Sequence, residues 1–335
     1  MRITPESLLK IAKTHSDSCV RRDVHITCVY LTGSLVLDEP LLGGSTDVDL
    51  IFVHDVAPKN SRELVRVSDD VHLDIAHYGQ AAFQNTRSLR LDPWLGSFLC
   101  EATRVLHDRV HWFDFTQAGV CSHFYHPENV LGRARSLAES ARQRWMQLTG
   151  GQHPNPHGLL VYLKTLEEAG NAIACLTGPP LTERRFMLQF PANCQTVGLP
   201  DLAAGMISLF THEDVSEDNW QDWQTPWRAA LQAAAAQSNC PPRLHACRHN
   251  YYTQAAAALW EGAPAAALWI FVRTWALAVT VLPADSEHIN AWQEPANRLA
   301  LGIEHMTERL NALDMFLDQV EGAVDEWAKK NGILE

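Results

Sequence analysis

The sequence predicts an α+β domain followed by an all-α domain. Two observations carry this. Through about residue 125, short apolar runs with strand alternation are separated by short helical segments and turns. From Pro127 onward the pattern changes to long helical periodicity dominated by Ala and Leu, punctuated by Pro and Gly. The domains are therefore placed at 1–126 and 127–335, and no fixed-period repeat is present. A chain of 335 residues is long enough for two domains that each bury a core.

Thr4-Pro5-Glu6 begins the first helix, with Thr4 as cap and Pro5 at the first helical position. Leu8, Leu9, Ile11 and Ala12 supply its apolar face. A strand at 26–31 follows and ends in Gly33-Ser34. After a segment broken by Gly43-Gly44 comes a second strand carrying Asp47-Val48-Asp49. A short amphipathic helix is expected at 59–67, then a strand at 71–75 with Asp74 on its polar parity beside His72 and Ala76. A helix at 81–91 and a final strand at 103–107 complete the domain. Beyond it, helices are expected at 128–149, 157–177, 197–211, 219–237, 250–261, 264–282, 288–300 and 303–330.

The chemistry concentrates in the first of these domains. Strand residues alternate faces, so Asp47 and Asp49 project together while Val48, Leu50 and Phe52 point into a core. Two such carboxylates lie about 6–7 Å apart at Cα. Like charges on an apolar strand are costly unless neutralised, and a divalent metal would neutralise them.

A Gly-Ser turn, a spacer, Asp-x-Asp on a strand and a later strand-borne Asp resemble the nucleotidyltransferase superfamily that includes DNA polymerase β and the aminoglycoside nucleotidyltransferases. The matching residues are Gly33, Ser34, Asp47, Asp49 and Asp74. The resemblance implies a small mixed sheet with flanking helices and all five residues on one rim. It also implies transfer of a nucleoside monophosphate, from ATP or another nucleoside triphosphate, to a hydroxyl with release of pyrophosphate. Such transfer asks for positioning and charge neutralisation, commonly through two Mg²⁺ ions, for which Mn²⁺ can substitute. Asp47 and Asp49 would hold both ions, and Asp74 would ligate one or take the acceptor's proton. Gly33 would let the backbone approach the phosphates, to which Ser34 would donate.

Positive charge for the triphosphate is sought in the helical domain, at Lys164, Arg184, Arg185 and Arg273. The stretch 268–292 is similar to the segment that aminoglycoside adenylyltransferases place over the nucleotide, which would make Arg273 a phosphate ligand. It departs from that family at Thr280-Val281-Leu282-Pro283, where the family carries Gly-Lys. Because Arg273 interrupts an apolar helix it needs a partner, either a substrate phosphate or an internal acid. The resemblance implies as acceptor a small molecule of aminoglycoside type or a protein hydroxyl. A second function class is a nucleotide-sensing or antitoxin-like protein that keeps the fold without efficient turnover.

A net charge of −12 argues against a nucleic-acid partner, whose binding needs many Lys and Arg contacts to phosphates. No secretory pattern opens the chain. The apolar run at 265–282 carries Arg273 at its middle and reads as a buried helix rather than a membrane span. The eight cysteines are scattered in apolar stretches and read as reduced thiols of a cytoplasmic protein. Neither Cys240, His245, Cys247 and His249 nor Cys121, His123 and His126 follow a structural-zinc spacing.

Overall fold

The computed structural model describes residues 3–37, 40–151, 156–212 and 215–333. The fold is α+β with a helical C-terminal region. The chain divides into two compact units, Met1–Asn129 and Val130–Glu335.

In the first unit, α1 (Pro5–Arg22) starts at a reciprocal capping box: Thr4 accepts from the Ser7 backbone, and Ser7 accepts from that of Thr4. Five strands follow: β1 (Ile26–Thr32), β2 (Thr46–His54), β3 (Arg62–Arg66), β4 (Val71–Gly79) and β5 (Arg104–Asp108). Their spatial order is β3-β4-β2-β1-β5. Only the central β2–β4 pair is parallel; the other three pairings are antiparallel. The short helices α2 (Thr86–Leu91), α3 (Leu95–Cys100) and α4 (Trp112–Cys121) follow β4 and flank β5 in sequence.

Alternation sorts the sheet into two cores. Val29, Leu31, Val48, Leu50, Phe52, Leu73 and Ile75 meet Leu8 and Ala12 of α1. On the opposite face Cys28, Tyr30, Ile51 and Val53 meet Leu89, Leu99, Phe113 and Val120 of α2–α4. The sheet is thus a middle layer between helices, which buries both of its faces.

The segment 59–67, expected as an amphipathic helix, holds strand β3 instead. Arg62-Glu63-Leu64-Val65-Arg66 pairs with His72 to Ala76 in a hairpin whose turn is closed by Val67 and Ser68 donating to Val71. Its few apolar residues fit either period, and an open edge on β4 decides for a strand. A second correction concerns the cysteines: Cys100 and Cys121 form a disulfide that joins the ends of α3 and α4, while six cysteines are free.

The second unit contains α5 (Pro127–Gly150, whose first turn precedes the division), α6 (Pro156–Ala174), α7 (Phe186–Thr196), α8 (Asp201–Phe210) and α9 (Glu217–Ala235). It continues with α10 (His249–Trp260), α11 (Pro264–Val281), α12 (Glu287–Arg298) and α13 (Met306–Lys330). Helix α7 is absent from the sequence-based expectation, because Pro191 interrupts its pattern. Among the described residues one helix, α11, is long and apolar enough to cross a membrane, and 67% of it is buried against its neighbours. Phe271 of α11 lies in ring contact with Trp220, Trp223, Trp227, Trp275 and Trp292. These tryptophans are buried in the core of the unit.

Candidate metal and nucleotide site

The site is built where β1 ends and β2 begins. Gly43 and Gly44 both have positive φ, +63° and +83°, and Leu42 and Ser45 exchange backbone hydrogen bonds across them. Two left-handed positions in a row call for glycine. This tight turn launches β2 at Thr46, so Asp47 is its second residue. Parallel register then sets Asp47 opposite His72 and Asp49 opposite Asp74. All four lie on the parity of Ile51 and Val53, the face covered farther along by α2–α4.

Gly33 follows β1, whose Thr32 is paired with Asp49. Its φ is +77°, and a Cβ there would overlap the Asp49 carboxylate, lying 2.9 Å from Cγ. Glycine is therefore required twice over, by conformation and by the side chain it abuts. Ser34 opens a 3₁₀ turn to Leu37, and its buried hydroxyl has no hydrogen-bond partner among the described residues. A buried hydroxyl left so is costly unless a ligand satisfies it.

Asp47, His72 and Asp74 are buried, and one ligand atom from each lies within 4.8 Å of the others. Among the described residues no other three His, Cys, Asp or Glu side chains are grouped this way. Asp49 is half-buried and stands outside the trio, with its carboxylate over Gly33. The three acids expected to ligate metal therefore share one face, but His72 takes the place foreseen for Asp49 in the tightest group. Carboxylates suit Mg²⁺ and Mn²⁺, and an imidazole beside them favours the softer Mn²⁺.

Asp74 has a partner that the sequence did not reveal. Arg62 of β3 reaches it with both arms of its guanidinium, Nε donating to Oδ1 at 2.6 Å and Nη2 to Oδ2 at 2.5 Å. Asp74 is 3% exposed, whereas the Arg62 side chain is 46% exposed. A bidentate pair with a half-solvated arginine offsets part of the cost of placing a carboxylate there.

The basic residues assigned to the triphosphate all lie in the helical unit. Arg273 donates to Glu167 at 2.6 Å, so an internal acid is its partner in this structure. Lys164 lies 3.4 Å from Glu167 and 3.8 Å from Glu168. Burial pushes the Glu167 carboxyl up, but Arg273 and Lys164 more than offset this and hold it below its ordinary value. Arg184 is buried, donates to the Tyr251 carbonyl at 3.0 Å and stacks over the Tyr251 ring, whereas Arg185 is half-buried. Of the cysteine-histidine cluster, His245 and Cys247 touch at 3.0 Å, and Cys121 is committed to its disulfide.

No protein-family model and no curated protein matches this chain.

Proposed function

We propose that the chain is a divalent-metal-dependent nucleotidyltransferase, acting from ATP or another nucleoside triphosphate on a hydroxyl of a small molecule or a protein. One observation carries the reading: Asp47, Asp49 and Asp74 share one face of two parallel strands, and the Gly33-Ser34 turn is packed against Asp49. Strand alternation and register bring together residues from separate segments that have no structural need to meet there. Asp47, His72 and Asp74 would hold the cation, and Asp49, opposite Asp74 on the same face, is a further acid for a second one. Bound there, Mg²⁺ or Mn²⁺ supplies neutralisation of the triphosphate's negative charge.

The residues themselves do the rest. Gly33 lets the turn close against Asp49, and the Ser34 hydroxyl beside it has a hydrogen bond to give a phosphate oxygen. Asp49, half-buried beside that turn, accepts the proton or orients the hydroxyl of the acceptor. A cytoplasmic location is part of the same proposal; the six free cysteines support it and the Cys100–Cys121 disulfide counts against it. One observation favours the second reading, a nucleotide sensor without turnover: Asp74 is fully engaged by Arg62.

Incubation with labelled triphosphates, Mg²⁺ or Mn²⁺ and a mixed acceptor panel, followed by mass detection, separates the two. Wild-type protein is expected to yield a nucleotidylated product. Asp49→Asn is expected to yield none, with a melting temperature unchanged or raised, because the change relieves like-charge repulsion. Metal-dependent triphosphate binding without any product would assign the protein to the sensor class.

A further inference from the structure

We propose that Arg62 is a counter-ion that changes partner: it holds Asp74 while the metal is absent, yields it to the cation, and then pairs with the triphosphate. The inference rests on the metal-site reading above and names how that site is regulated. Its basis is the conflict of two observations at one carboxylate. Asp74 is grouped with Asp47 and His72 within metal-ligand reach, yet both of its oxygens already accept from one guanidinium.

Charge decides what happens when a cation arrives. A divalent ion at the trio would stand a few ångströms from the guanidinium, and like charges that close repel strongly in a half-buried setting. The two partners are not equally free to move. Asp74 is fixed in the central parallel pair and is almost wholly buried. Arg62 sits on the edge strand, and its long side chain is nearly half exposed. The arginine therefore gives way.

Its next partner follows from the same chemistry. The guanidinium fork that fits a carboxylate fits a phosphate equally well. A metal-bound triphosphate would bring that anion to the rim the arginine already reaches. The helical unit's Arg273 and Lys164, by contrast, are engaged with glutamates of their own unit. Metal-free protein thus keeps Asp74 paired with Arg62, and the arginine is released for the phosphates only when the cation is present.

Competition and support predict opposite signs for Mn²⁺ and triphosphate binding, both measured on the intact chain. Mn²⁺ binding without nucleotide is measured by calorimetry and by the paramagnetic resonance of free Mn²⁺, for wild type, Arg62→Gln and Arg62→Lys. Gln keeps one hydrogen bond to Asp74 and removes the charge, and a thermal melt checks that each variant is folded. Arg62→Gln is expected to bind Mn²⁺ at least tenfold more tightly, yet a non-hydrolysable triphosphate with Mn²⁺ at least tenfold more weakly. Arg62→Lys, which keeps charge without the fork, is expected to fall between. Adding Asp74→Asn to wild type and to Arg62→Gln should erase the difference in Mn²⁺ affinity between the two. Equal or weaker Mn²⁺ binding by Arg62→Gln, with wild type binding normally, would overturn the competition and leave the metal site standing. Mn²⁺ binding by neither folded protein would overturn the metal site and this inference with it.

Discussion

Side chains with no role in the proposed transfer give the clearest pH behaviour. His54 and His77, neighbours on β2 and β4, face each other with Nε2 and Nδ1 at 3.0 Å. Their outer nitrogens look toward Asp23 at 3.6 Å and Glu63 at 3.7 Å. Burial depresses both imidazoles below the ordinary histidine value, and for His77 the neighbouring His54 adds to this; the carboxylates oppose it only in part. The unfolded chain therefore binds more protons than the folded one as pH falls below the unfolded value of about 6.5. Stability contributed by the neutral pair is complete above that pH and is lost as pH drops through the folded values. The denaturant midpoint should fall from pH 7 to pH 5, and His54→Gln with His77→Gln should make that fall shallower. An identical slope in the double variant would show that the pair does not titrate on unfolding. At this scale the sequence is informative where alternation governs. Asp47 and Asp49 have to share a face with each other, and Asp74 with His72, because a strand has a period of two. That His72 rather than Asp49 joins the tight trio depends on the lateral register of β4 against β2, which no local pattern encodes.

Elements are legible in proportion to their length. The long helices of the second unit announce themselves by periodicity and by breakers between them, whereas 59–67 fits two periods and folds as β3 because β4 offers it an edge. That one misreading hides Arg62, since only as a strand residue opposite Ala76 can it reach Asp74. Helix α11 poses the converse case, a correct element with an open question about one residue. Arg273 is mostly buried, and so is Glu167, with their contact inside the bundle. Arg273→Met roughly fills the volume but takes from Glu167 its closest cation, leaving Lys164 and the field of Arg243, and losing one member of a buried pair costs about 3–5 kcal/mol. A denaturant melt should show a loss of that size. Nucleotide affinity, measured by titration on the protein that remains folded, should not change. A tenfold or greater loss of affinity with a preserved melt would instead return Arg273 to the phosphates.

At the scale of the molecule, each unit carries its own core, and the disulfide belongs to one of them. Composition suggests eight reduced thiols, since nothing in the spacing of Cys100 and Cys121 pairs them; α3 and α4 must pack before their ends meet. The bond joins cysteines 21 positions apart, and cross-linking a loop of that length stabilises by about 3 kcal/mol through the entropy it removes from the unfolded chain. The loop contains Phe113 and Val120, which pack with Tyr30 and Ile51 on the face that also bears the acids. Loss of the cross-link should therefore loosen β1 and the helices over it, not the bundle. Hydrogen exchange followed by mass spectrometry, on oxidised protein and on the Cys100→Ser, Cys121→Ser double variant, can read each peptide separately. Exchange should accelerate at 95–121 and in β1, while peptides from α6 to α13 stay as they were. If protection is the same throughout, the bridge contributes nothing to the sheet unit's stability. If the bundle loosens as well, the two units unfold as one, and the stability of the acid site depends on helices that supply none of its ligands.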